Sequence, residues 1–169
     1  QHADQNGVSI VGMPLGSNRA EDWGSFARAA RDHPRILFIA SAGNNGRDID
    51  SQPVFPAALD LDNLLVVSSA DDFVRPARGV NWGRQSVDYL VPAERRPALD
   101  YSGQPTRVSG SSYAVARVAA LAARIQADAW SCVARPMTAL GNFHSIIFAI
   151  IAASVCALSL PMSPAASCS

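Results

Sequence analysis

Apolar residues along this chain gather in short runs separated by polar stretches marked with glycine and proline, and each run predicts an element. Val8-Ser9-Ile10-Val11-Gly12-Met13 ends at Pro14 and predicts a buried strand. Glu21 to Asp32 predicts a helix. Its acids come first, Arg28 and Arg31 fall toward its end as the helix dipole favours, and His33-Pro34 stops it. Ile36-Leu37-Phe38-Ile39-Ala40 is apolar at every position, the pattern of a parallel strand covered on both faces. Leu64-Leu65-Val66-Val67-Ser68 predicts a third strand and Ser86-Val87-Asp88-Tyr89-Leu90 a shorter fourth. From Pro92 to Gly110 the chain is rich in Pro, Arg and Ser and reads as loop. Ser112 to Ala129 predicts a long helix with Val115, Val118, Leu121, Ala122 and Ile125 on one side. Ala119 and Ala120 keep another face small, so the helix can lie close to a sheet. Alternation of strand and helix gives the fold class α/β, with a parallel sheet.

Composition narrows the picture only slightly. The 169 residues are 49% hydrophobic and 17% charged with zero formal net charge. That describes a globular chain with one sizeable core and argues against nucleic acid or an anionic membrane surface as partner. Every Lys-or-Arg position is Arg, which points to coding bias and not to site chemistry. The three cysteines, Cys132, Cys156 and Cys168, leave the first 131 residues without thiols, so no disulfide or cysteine metal site is expected there. The chain begins with Gln1 and reads as either processed or a fragment, and the motifs below favour the fragment.

Two motifs carry candidate chemistry. Gly110-Ser111-Ser112-Tyr113-Ala114 places two hydroxyls at the start of the long helix. There, unpaired N–H groups and the positive end of the dipole favour developing negative charge. The plainer alternative is that Ser111 or Ser112 caps the helix. Ala42-Gly43-Asn44-Asn45-Gly46 follows a buried strand, so Asn44 can aim its amide into a cleft; the alternative is an ordinary turn.

Their order and context resemble the second half of the subtilases. The resemblance is carried by Ile39 through Gly46, Phe55-Pro56-Ala57, Leu64 through Ser68, Asn81-Trp82-Gly83 with Ser86-Val87-Asp88, and Gly110 through Ala114 with Val118-Ala119-Ala120-Leu121. Met13-Pro14-Leu15-Gly16 resembles the strand of that family that ends in a Ser-Leu-Gly turn. The match runs over about residues 1 to 128 in unbroken order. It implies a partial doubly wound parallel sheet of subtilisin type and peptide-bond hydrolysis through an acyl-enzyme. Ser112 is then the acylating serine, and Asn44 with the Ser112 N–H forms the oxyanion hole. Leu15 and Gly16 pair with an extended substrate, and Ala42 and Gly43 form one wall of the pocket before the scissile bond. The implied partner is a polypeptide, in a secreted or extracytoplasmic setting. No cofactor is evident. Structural calcium enters by resemblance alone, and no acidic cluster marks a metal site.

The sequence departs from that pattern in places. Pro14 stands where Ser is usual and removes one N–H, Ala116 replaces a Pro, and Ala93 a Gly. The larger departure concerns the base. A serine hydroxyl needs a positioned base, and that base needs a third group to hold it. Only His2 and His33 precede Asn44, and neither has the family's His-Gly-Thr context, so the catalytic Asp and His are expected to be absent. Two other readings compete. One is a non-catalytic module that binds extended peptides along Leu15-Gly16. The other is an α/β-hydrolase elbow at Gly110-Ser111-Ser112, disfavoured because Gln104-Pro105-Thr106-Arg107 reads as no strand.

Composition changes near Ser131, dividing the chain into 1–130 and a hydrophobic tail, 131–169. Ile146 to Leu160 is almost uninterruptedly apolar, the length of a signal-peptide core and short of the ~20 residues of a usual span. Arg117, Arg124 and Arg135 precede it and no charge follows. Pro161 to Cys168 is a small-residue stretch resembling a signal-sequence end. The tail is read either as foreign to the fold or as a C-terminal helix packed on the body or associated with a membrane.

Overall fold

The computed structural model describes residues 2–72 and 74–132, with 128–132 described by backbone alone. The tail anticipated at 131–169 therefore lies almost wholly outside the described residues. A short helix, α1 (His2–Gln5), leads into β1 (Ile10–Met13). A 3-10 turn (Ala20–Trp23) runs into α2 (Gly24–Asp32), and then come β2 (Leu37–Ser41) and β3 (Leu64–Ala70). They are followed by β4 (Tyr89–Pro92), the pair β5 (Arg96–Leu99) and β6 (Pro105–Val108), and α3 (Ser111–Cys132).

The four strands β1-β2-β3-β4 form one sheet in that order, and all three pairings are parallel. Every residue of β2 and β3 is buried, which is why both open as apolar runs before ending in the small residues Ser41, Ser68 and Ser69. Side chains alternate between the two faces. Leu37, Ile39, Leu65 and Val67 meet Ala114, Val115, Val118 and Ala122 of α3 on one side. Phe38, Ala40, Leu64 and Val66 meet Ala30 of α2, with Ile49, Val54 and Leu61 from the β2–β3 connection, on the other. Asn63 ties the amino end of the sheet to α2. It is 4% exposed, and its Nδ2 donates to the carbonyls of Ala30, His33 and Ile36 at 2.9, 3.1 and 3.0 Å.

Three expectations need correction. The fourth strand begins three residues later than its alternation suggests. The Asp50 carboxylate accepts the N–H groups of Arg84, Gln85 and Ser86 at 2.7–3.3 Å, so that segment cannot join the ladder. The stretch from Pro92 to Gly110 is not wholly loop, because β5 and β6 pair antiparallel within it. Asp100 closes their turn by accepting from the Ser102 and Gln104 N–H groups and the Ser102 hydroxyl. Residues 105–108 are therefore a strand. That strand belongs to a separate hairpin, so an elbow rising from the central parallel sheet is still not formed.

Candidate active site

The carboxyl ends of β1 and β2 and the amino end of α3 meet at one edge of the sheet. Asn44 follows β2, while Ser111 and Ser112 open α3. The Asn44 Oδ1 accepts from the Ser111 backbone N–H at 3.0 Å and from the Ser111 hydroxyl at 2.9 Å. A backbone N–H can only donate, so the amide orientation is fixed and Nδ2 faces the other way. Among the described residues nothing accepts from that Nδ2, and Asn44 is exposed.

The orientation is carried further back into the core. Ser111 is fully buried and spends its proton on Asn44, so the 2.7 Å contact between Ser41 Oγ and Ser111 Oγ has Ser41 as donor. The Gly43 N–H in turn donates to Ser41 Oγ at 3.1 Å. This directed relay, Gly43 to Ser41 to Ser111 to Asn44, leaves no freedom for the amide to rotate.

Buried Asn81 holds the same turn from beneath. Its Nδ2 donates to the Ala42 carbonyl at 2.8 Å, and its Oδ1 accepts from Asn45 N–H at 2.8 Å and Arg47 N–H at 3.3 Å. Gly43 has φ of +100°, and a Cβ there would stand 2.6 Å from Asn81 Nδ2. Gly110 is required for a parallel reason. Its φ is +116°, and a Cβ would meet Asn44 Oδ1 at 3.1 Å. Glu94 fixes the other side of the Gly110 turn by accepting from Gly110 N–H at 3.2 Å and the Ser69 hydroxyl at 2.5 Å.

The two serines thus separate. The Ser111 hydroxyl is consumed by structure. Ser112 is half-buried, and among the described residues neither its hydroxyl nor its N–H has a partner. The free Asn44 Nδ2 and Ser112 N–H are the donors that an oxyanion beside Ser112 Oγ would need.

The other sequence-predicted residues are placed as follows. Leu15 is 57% exposed on the segment after edge strand β1. Gly16 lies so close to Phe55 that a Cβ would be 2.7 Å from its carbonyl oxygen. Ser17 and Phe55 exchange two backbone bonds of 2.8 Å. Ala42 is fully buried, with its N–H on Val67 and its carbonyl on Asn81, so its methyl backs the turn from within the core. Gly43 is the half-buried member of that pair.

Neither described histidine reaches Ser112. His2 lies in α1, ahead of β1, and His33 lies between α2 and β2, both at the amino ends of the strands. His33 Nδ1 instead stands 3.6 Å from Asp4 Oδ2. Among the described residues no group of three or more His, Cys, Asp or Glu is placed to hold a metal ion. None of their helices is long and apolar enough to cross a membrane.

Sequence reasoning missed the supporting roles of Ser41, Ser111, Asn81 and Glu94. The only available signals were a hydroxyl ending an apolar strand and a lone Asn between Val80 and Trp82.

The family model for the Subtilase family matches residues 1–139. Subtilisin-like protease 1 of Trichophyton rubrum is 32% identical over 130 residues, covering 75% of this chain and 25% of that protein. The protein of the same name from Arthroderma benhamiae is 32% identical over 130 residues, covering 75% of this chain and 31% of its own. This chain therefore spans about a quarter to a third of the length of these curated relatives. Among solved structures, the patellamide maturation protease PatA is 29% identical with a TM-score of 0.61, over 73% of this chain and 46% of that one. The prenylagaramide maturation protease PagA shares the fold, with 24% identity and a TM-score of 0.69 over 89% and 54%.

Proposed function

We propose that this chain, which belongs to the subtilase family, is the nucleophile and oxyanion part of a serine endopeptidase acting on polypeptides through an acyl-enzyme. The observation that carries the reading is the pinned Asn44. Its Oδ1 is fixed by both donors of Ser111, so its Nδ2 is aimed before any substrate arrives. Preorganised donors cost no reorganisation when charge develops, which makes them effective at an oxyanion.

In this reading the Ser112 hydroxyl adds to the scissile carbonyl and forms a tetrahedral centre whose oxygen accepts from Asn44 Nδ2 and Ser112 N–H. Collapse expels the amine and leaves the acyl group on Ser112, which water then removes. Both halves need a base to take and return a proton. None of the described residues supplies it, so the chain by itself is proposed to lack appreciable peptidase turnover. A working enzyme would bring the Asp and His from sequence beyond this chain. The substrate would lie as an extended strand along Leu15-Gly16, with its residue before the scissile bond against Gly43. By family resemblance the setting is secreted or extracytoplasmic.

That none of the described residues places a base near Ser112 also favours a second reading, a pseudo-peptidase that binds extended peptides without cutting them. One experiment addresses the shared core of both. A protein that carries this chain together with an upstream Asp and His is incubated with a fluorophosphonate, and the arginine-bounded peptide 108–117 is analysed by mass spectrometry. The expected adduct sits on Ser112 and forms faster than on any other serine. Asn44→Ala should slow it by roughly 10²–10³-fold, a magnitude known from subtilisin itself and carried over by family. Adducts on Ser111, or spread without preference over the serines, would refute the assignment. A peptide that binds but stays intact with the Asp- and His-bearing protein would select the second reading.

A further inference from the structure

Arg47 carries a buried polar atom without a partner: among the described residues, its Nε is shut from water and meets no acceptor. An orphaned donor in a charged group calls for an explanation. The residue is otherwise firmly placed. Its N–H donates to Asn81 Oδ1 at 3.3 Å, and its carbonyl accepts from Trp82 N–H at 3.0 Å. Its Nη2 donates to Asn18 Oδ1. Nη1 makes no bond among the described residues and is not shut from water as Nε is.

The bond to Asn18 crosses the candidate substrate slot. One wall is the segment with Leu15 and Gly16, and the other is the turn with Ala42, Gly43 and Asn44. The walls share a base. Gly16 lies against Val54 and Phe55, and Val54 belongs to the same buried cluster as Ala42. Asn44 bonds Ser111, so its end of the slot is the one nearest Ser112. Arg47 comes three residues after Asn44, and Asn18 two after Gly16. Their bond therefore joins the walls at the end farther from Ser112.

This guanidinium faces no carboxylate of its own chain. Among the described residues the ion pairs go to Arg19, His33 and Arg95. The nearby Asp48 and Asp50 are engaged by backbone N–H groups, of Asp50 in one case and of residues 84–86 in the other. Of the 14 acidic residues, only Asp128 has an undescribed side chain. Ser9, at the amino end of β1, bonds Gln126 at 2.7 Å, which puts Asp128 at the opposite edge of the sheet from Arg47.

We infer that Arg47 reads an acidic side chain on the substrate residue before the scissile bond. The inference rests on the proposed reading of this slot and names the residue class that fills it. A side chain entering past Gly43 brings its carboxylate to Nη1, while Asn18 holds the guanidinium in place. With one edge already stripped of water, the charge gains more from a carboxylate at its other edge than a fully hydrated arginine would.

The test uses the Asp- and His-bearing protein described above, in a Ser112→Ala variant that cannot cut. Fluorescein-tagged peptides Ala-Ala-Pro-X-Ala-Ala, with X either Glu or its neutral isostere Gln, are titrated against it by fluorescence anisotropy. The Glu peptide should bind at least about tenfold more tightly, since a charge-assisted bond is worth roughly that factor. The margin should shrink as salt rises. Arg47→Gln should bring the two peptides level by weakening the Glu peptide alone, a split that general damage to the slot would not give. Arg47→Lys should keep part of the preference, and circular dichroism checks each fold. No saturation by the Glu peptide up to about 1 mM would overturn the inference. So would equal binding of the two peptides, a preference that survives Arg47→Gln, or an equal loss for both. Fluorophosphonate labelling of Ser112 in the unsubstituted protein decides the peptidase reading separately. Labelling without a Glu preference sinks the role of Arg47 alone, and a Glu preference without labelling sinks the peptidase reading alone.

Discussion

Asn81→Ala tests whether the turn bearing Asn44 is held from beneath. The side chain is fully buried and makes three bonds, to the Ala42 carbonyl and to the Asn45 and Arg47 N–H groups. Removing it leaves the Ala42 carbonyl unpaired in the core, at about 1–3 kcal/mol. Asn45 is exposed and Arg47 half-buried, so their N–H groups recover water and lose about 1 kcal/mol between them. The expected loss of stability is thus about 2–4 kcal/mol, read as a lower urea midpoint with unchanged slope. Hydrogen exchange supplies a local readout, because the Asn45 amide should lose protection more than amides of β3. A loss under about 0.5 kcal/mol, the range of ordinary surface changes, would refute the reasoning. So would an Asn45 amide that keeps its protection.

Two further outcomes follow from the same geometry. Gly110→Ala forces a side chain into φ of +116° and against Asn44. It should cost about 1–3 kcal/mol and slow fluorophosphonate labelling of Ser112 while leaving helix content intact by circular dichroism. Asp50 is held below its ordinary 3.8 by the Ser86 side chain first, and by the N–H groups of Gln85, Ser86 and Arg84. A lowered carboxylate contributes stability above its unfolded value and loses it as pH falls through the folded one. Urea midpoints should therefore drop as pH goes below about 3.8. Asp50→Asn should flatten that drop.

The sheet was legible because β2 and β3 are buried on both faces, which leaves runs dominated by apolar residues. Element ends were less so. Ser86-Val87-Asp88 alternates like a strand, yet Asp50, 36 residues earlier than Ser86, takes the N–H groups the ladder would use. The hairpin was hidden because Pro97 and Pro105 sit inside it and Leu99 faces outward, so no polar and apolar alternation marks its strands. At the site, Asn44 and Ser112 could be found from a turn after a strand and a hydroxyl before a helix. The difference between Ser111 and Ser112 could not. It depends on Ser41 meeting Ser111 across 70 residues of sequence, which spends one hydroxyl and frees the other. The roles of Glu94 and Asn81 were hidden for the same reason, since each acts on a segment brought to it only by folding.

In the proposed mechanism, Asn44 Nδ2 and Ser112 N–H converge on the oxygen of a tetrahedral centre bonded to Ser112. The decisive measurement is a crystal structure of the Asp- and His-bearing protein after treatment with a fluorophosphonate. The expected result is phosphorus bonded to Ser112 Oγ, one phosphoryl oxygen within roughly 2.7–3.1 Å of both donors, and Asn44 Oδ1 still on Ser111. An adduct whose phosphoryl oxygen points to solvent, or an Asn44 turned away from Ser111, would contradict it.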